Sequence, residues 1–316
     1  MNLRYRSGKE LSDFNKALLK LKNFKEQNKS RDILLILYIW ININRLMIEI
    51  HHSISKTEKV FDSGGNPILV ECEDLNLWVC KHARTSPRLL SNELLGSSFA
   101  QLWDLSTPEF CLLEISDDHL PLSNIIQPVF FKKHCFGSYF NSADQVIDLT
   151  IIPLLRSTSF RNKIANKSDY LKIGLFDIWL ANEDRHPLHT NLLLSPRGKE
   201  YIFKVFDHDA LFNQNNPGKY PLVLLDEECS LITGEISKLL FKRNKKLVNI
   251  VNEIVENFYL CVEKCLQNLE NIVACIPDSW LIDRDEIYNA LILSIFSDAW
   301  LKQCENYFRQ LTQSYI

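Results

Sequence analysis

The chain has 316 residues, 46% hydrophobic and 24% charged, which excludes a disordered protein and is enough for two lobes with their own cores. A net charge of −3 leaves no basic excess to draw the protein to nucleic acid or anionic lipid. Nine cysteines without a CxxC pair exclude a zinc-ribbon scaffold and read as reduced, apolar-like residues of a cytoplasmic protein.

In chain order, residues 1–46 read as an N-terminal extension, with a polar amphipathic helix over 9–28. The apolar run at 33–43 falls short of the ~20 residues that a membrane span needs. Asp32, Asn42, Asn44, Arg45 and Glu49 crowd it, so no membrane partner is expected. Residues 48–53 read as a first strand. The turn signal at 62–67 contains Gly64 and Gly65 and leads into two β-rich runs, 67–72 and 77–82, paired as a hairpin. Leu95, Phe99 and Leu102 set a helical period over 88–103, and a strand follows at 109–115. Hairpin, helix and strand in that order read as a small nucleotide-covering lobe over 47–120.

Residues 121–316 read as a larger lobe. Leu171, Leu175, Ile178 and Asn182 share a stripe of a helix over 169–182. Two short strands, 191–195 and 201–206, flank the turn Pro196-Arg197-Gly198. A loop rich in Asn, Pro and Gly covers 213–220, and helices are expected across 232–274 and 284–312. The expected fold class is α+β, two-lobed and protein-kinase-like, with a small β-rich N-lobe and a mainly helical C-lobe.

The chemistry concentrates in residues 182–194 and 206–209. Asp184, on the loop after the helix, can accept a hydrogen bond from a substrate hydroxyl and take its proton late in transfer. Asn191 opens the next strand and Asp207 closes the one after, which places an amide oxygen and a carboxylate for Mg²⁺. Upstream, Lys81 ends an apolar strand where an ammonium can meet nucleotide phosphates, and Glu93 on the helix can hold it. Gly64 and Gly65 let backbone N–H groups approach phosphate oxygens. Any one of these residues alone reads as ordinary turn or surface chemistry; the ordered set points to phosphoryl transfer. There is no GxGxxG and no Walker GxxxxGK[ST].

These residues, in this order, resemble the HipA-like kinase family, in particular its small single-chain branch. The resemblance rests on Lys81 at a strand end, the helix NELLGSSFA, the loop NEDRHPLHTNLLL, and the closing Asp207-His208. His134-Cys135-Phe136-Gly137-Ser138 is similar to the family's FGS segment between the lobes. The DRH…N logic is more distantly similar to phosphatidylinositol kinases. The resemblance implies Mg-ATP in a cleft and transfer to a protein hydroxyl, with Lys81 on ATP, Asp184 as the catalytic carboxylate, and Asn191 and Asp207 on metal. One departure stands out. The family's asparagine follows its aspartate by five residues; here the separation is seven, with His189 at the fifth position. Imidazole is a poor ligand for Mg²⁺, so a two-residue bulge that keeps Asn191 in place is the expected solution.

Two other readings stay open on the residues. A pseudokinase-type module would bind nucleotide or a partner without transfer. A metal-dependent phosphohydrolase would gather Asp184, His186, His189, Asp207, His208 and Asp209 as ligands.

Overall fold

The computed structural model describes residues 48–316, apart from Thr85, Asn216, Lys219, Tyr220 and Arg243. The expected extension, its helix and the apolar run at 33–43 lie outside the described residues.

Six strands form the first sheet: β1 Ile50–His52, β2 Lys59–Val60, β3 Ile68–Glu71, β4 Leu77–Lys81, β5 Phe110–Glu114 and β6 Cys135–Tyr139. Their spatial order is β1-β5-β6-β4-β3-β2, with β1 parallel to β5 and every other pair antiparallel. The strand period of two turns Ile68, Val70, Cys72, Trp78, Cys80, Cys111 and Leu113 to one face. Ile126, Phe131 and Cys135 complete that apolar cluster. Gly137 sits at the crossing of β4, β5 and β6, where a Cβ would come within 2.7 Å of Cys111 Sγ and Leu113 Cγ. The central strand β6 therefore comes from beyond residue 120, where the sequence reading ended the small lobe. Nothing local in a strand records which distant neighbours will flank it.

Helix α1, Pro87–Leu102, follows β4. Ser86 caps it, accepting from Arg88 N at 3.2 Å, and Pro87 occupies the first turn, where no donor is missed. Every residue from Leu90 to Ala100 is buried, including Ser91, Asn92, Glu93, Ser97 and Ser98. The helix is thus a core element buried on every side between Leu90 and Ala100. Its C-terminal end enters an aromatic core in which Trp103 meets Trp179 at 5.3 Å and Phe258 at 5.7 Å, centroid to centroid.

The second half of the chain is mainly helical. Helix α2, Asp169–Leu180, ends at Ala181 in the left-handed region, φ 48°. A second sheet of three strands, in the order β7-β8-β9, joins Gln145–Val146, Leu192–Arg197 and Glu200–Val205. Four helices close the lobe: α3 Glu235–Phe241, α4 Leu247–Ala274, α5 Arg284–Leu293 and α6 Asp298–Tyr315. Along α4, Val251, Ile254, Phe258, Cys261, Cys265, Leu269 and Ile272 keep helical spacing and are buried. The helices expected over 232–274 and 284–312 are each interrupted: one ends at Phe241 before α4, the other at Leu293 before α6. Ser297 caps the new start by accepting from Trp300 N at 3.4 Å. The seven buried cysteines, Cys72, Cys80, Cys111, Cys135, Cys261, Cys265 and Cys304, are free thiols. No described helix is long and apolar enough to cross a membrane.

Candidate active site

From Ile173 to Leu180 helix α2 is buried throughout and apolar except for Asp177, and that exception organises the loop that follows. The left-handed turn at Ala181 lets Asn182 N–H reach back to Asp177 O at 2.9 Å, and Asn182 Nδ2 donates to Asp177 Oδ1 at 3.2 Å. Arg185 then enters the interior, 0% exposed, with Nη1 on Asp177 Oδ1. Its Nη2 donates to Phe206 O at 2.7 Å and Asp207 O at 3.0 Å. One buried guanidinium thereby ties the helix end to the end of β9. Burial pushes the Asp177 carboxyl up to about 6 against the pull of Arg185.

With Arg185 inside, its neighbour Asp184 is left facing out. Asn191 Nδ2 donates to Asp184 Oδ2 at 2.8 Å, and His189 Nδ1 lies 3.2 Å from the same oxygen. The two extra residues of the loop form a tight turn: His186 and His189 exchange both backbone hydrogen bonds at 3.0 Å, with Pro187 and Leu188 at its tip. A bulge of this kind leaves Asn191 at the mouth of the β8–β9 hairpin. Phe206 N donates to Asn191 O there at 3.3 Å. Asn191 and Asp207 both take positive φ, 45° and 61°, a backbone cost of order 1–3 kcal/mol each that tends to collect at functional positions.

The upstream half meets the downstream half at Lys81. Its ammonium contacts Glu93, donates to Asp207 Oδ1 at 2.6 Å and lies 3.9 Å from Asp209 Oδ2. Glu93 Oε2 accepts from His208 N at 3.1 Å, so α1 is bonded to the backbone that carries Asp207. Burial works against the Lys81 charge, but Asp207, Glu93 and Asp209 outweigh it and raise the ammonium above its ordinary value. Burial pushes Glu93 up to about 8 against the attraction of Lys81. Asp207 shows the opposite balance: burial opposes ionisation, yet Lys81 holds it down to about 2. His208 is buried, and burial beside Arg185 keeps it neutral, well below the usual imidazole range. Its ring lies against Gly96, where a Cβ would approach His208 Cβ to 2.4 Å. The glycine of NELLGSSFA is what lets α1 dock on the Asp207 segment.

Lys81, Glu93 and Asp207 therefore form one group, and Asp184 and Asn191 another at the same hairpin mouth. Gly64 and Gly65 lie in an exposed turn between β2 and β3 with open space around both. That turn is tied to the end of β4 through Asn66, whose carbonyl lies 3.2 Å from His82 Nε2. Carboxylate oxygens of Glu93, Asp207 and Asp209 lie within 4.8 Å of one another, and so do ligand atoms of Asp184, His186 and His189. The six ligands of a hydrolase site are thus split in two, with His208 buried outside both groups. The sequence places Asp209 only in the hydrolase reading, and it gives the Asp177–Arg185 pair no role. The available signal for the pair is a lone acid in the apolar C-terminal half of a helix, followed by an arginine in a turn.

A family model described as HipA-like kinase matches residues 54–220, a span that holds every residue of both groups. No curated protein matches the chain. Among solved structures, the crystal structure of a Helicobacter pylori proinflammatory kinase, CtkA, is similar at 13% identity and a TM-score of 0.48, covering 84% of this chain and 100% of that one. The crystal structure of the Golgi casein kinase is similar at 11% identity and a TM-score of 0.41, covering 84% of this chain and 74% of that one.

Proposed function

The chain belongs to the HipA-like kinase family, and from that premise we propose that it is an active ATP-dependent kinase that transfers the γ-phosphate to a Ser or Thr hydroxyl of a protein partner. The observation that carries the reading is the convergence of Lys81, Glu93 and Asp207 beside an Asp184 that is held by Asn191 despite the lengthened loop.

Each residue has a task that its surroundings support. Lys81, kept charged by three carboxylates, binds the nucleotide phosphates, and Glu93 fixes its position. Asn191 and His189 both approach Asp184 Oδ2, so the other carboxylate oxygen is the one to orient the substrate hydroxyl and accept its proton. Arg185 positions Asp207 through its backbone carbonyl without meeting substrate. Gly64 and Gly65 supply backbone N–H groups over the phosphates. The donor set fits Mg²⁺, a hard ion that takes oxygen ligands: Asp207 and the Asn191 amide oxygen would hold it, with Asp209 as a further carboxylate. Bound there, Mg²⁺ neutralises charge on the phosphate oxygens during transfer. Seven buried thiols without a disulfide suit the reducing cytoplasm, where we place the protein.

The test is transfer of labelled γ-phosphate from Mg-ATP to a generic protein acceptor or to the chain itself. Asp184→Ala should lower the rate by ~100- to 10,000-fold, the range for loss of a positioned acid–base group, and Asp207→Ala should lower it through loss of the metal's carboxylate. A wild-type protein that neither binds nor consumes ATP would refute the reading. Binding of ATP with no labelled product from any acceptor would instead favour a pseudokinase.

A further inference from the structure

The outer turn of the catalytic loop carries two imidazoles that phosphoryl transfer does not require. His186 and His189 are the facing pair that closes this turn, each donating its backbone N–H to the other's carbonyl at 3.0 Å. Facing residues of such a pair direct their side chains to one side, and here the rings stand 6.1 Å apart, centre to centre. His189 Nδ1 lies 3.2 Å from Asp184 Oδ2, a spacing at which both atoms can reach one small ion. A nitrogen of His186 completes a trio of ligand atoms within 4.8 Å of one another. Among the described residues, the hydrogen bond that competes for the His186 ring is a long one, from Leu188 N–H to Nδ1 at 3.3 Å. The turn is also braced from outside the loop: Pro187 packs on Gly234, where a Cβ would come within 3.0 Å of Pro187 Cβ.

We propose that Asp184, His186 and His189 form a second metal site, selective for a borderline transition ion such as Zn²⁺, whose occupation switches the kinase off by capturing the carboxylate that accepts the substrate proton. The regulatory half of this inference rests on the proposed function; the site itself does not. Two imidazoles and one carboxylate are the ligand types of a three-ligand zinc site with a water in the fourth position. The neighbouring Glu93–Asp207–Asp209 cluster is all oxygen, the chemistry of Mg²⁺. The turn thus gives the loop a ligand set that sorts ions by softness.

Co²⁺, a spectroscopic substitute for Zn²⁺, tests this with tag-free protein in the absence of nucleotide. The wild type should bind one Co²⁺ with the strong visible bands of a four-coordinate ion, and Zn²⁺ should bleach them. His186→Ala and His189→Ala should each weaken binding by at least the ~10- to 100-fold that follows even the loss of a ligand's supporting partner, with circular dichroism confirming the fold. Asp209→Asn should keep the bands. In Mg-ATP transfer assays, Zn²⁺ should inhibit the wild type and not His189→Ala, each measured against its own zinc-free rate. Weak octahedral bands only, bands that survive His189→Ala, or a thiolate charge-transfer band would overturn the site. Cobalt bound as expected by a protein that moves no phosphate would overturn the kinase reading and leave the site standing. Zinc bound to an active kinase without inhibition would overturn the switch.

Discussion

The loop over residues 182–194 has an inner and an outer side that obey different rules. On the inner side Arg185 is 0% exposed and bonded to Asp177, Phe206 and Asp207, so removing one partner leaves a charge stranded in the interior. On the outer side Leu188 is 71% exposed and His189 59%, and the turn closes on its own backbone. Length and chemistry can change on the outer side without disturbing the inner one. That explains how the loop accommodates two residues more than the pattern it resembles while Asp184 and Asn191 still meet.

The hardest way to break this contrast is to remove the inner cation. Arg185→Met should destabilise the protein by ~3–5 kcal/mol, because Asp177 is left buried without its partner, and a denaturant titration would show it. A loss under 1 kcal/mol would mean that the inner side is not the anchor. The same pair predicts a pH dependence. The folded Asp177 pKa, about 6, lies above its ordinary value of 3.8. The folded state therefore holds more protons than the unfolded one between these values, and stability from this group falls as pH rises through that window, by up to ~3 kcal/mol. Asp177→Asn should flatten the stability profile between about pH 4 and pH 6. Gly96→Ala sharpens the comparison from the side of α1: the added methyl meets His208, and overpacking of this kind costs ~1–3 kcal/mol. Because His208 adjoins Asp207, transfer should fall further than the melting temperature alone accounts for. At the small end, Leu188→Ser at the outer tip should shift stability by no more than ~0.5 kcal/mol, as for other exposed substitutions, and a thermal melt would check it.

Much of this site is legible in the residues because its parts are local. A lysine at a strand end, a glutamate 12 residues on, and a hairpin with Asn191 and Asp207 at its mouth can be placed from periodicity and turn chemistry. The buried polar residues of α1 are harder, since Ser91, Asn92, Ser97 and Ser98 resemble a solvent face until the layers on both sides are known. The position of β6 is fixed by pairing with β4 and β5, and the run itself does not show that. The break before α6 did carry a local signal, Ser297 directly before Asp298, that the longer hydrophobic period masked.

Helix α1 has a consequence for timing. Its residues from Leu90 to Ala100 have no free side on which to slide or tilt, and its amides should be among the last to exchange with solvent. Kinases that control the lysine–glutamate contact by moving this kind of helix set it anew with every signal. Here burial of the whole segment makes the contact part of the folded core. Fast control is left to the loops, whose settings can be reversed without opening the core.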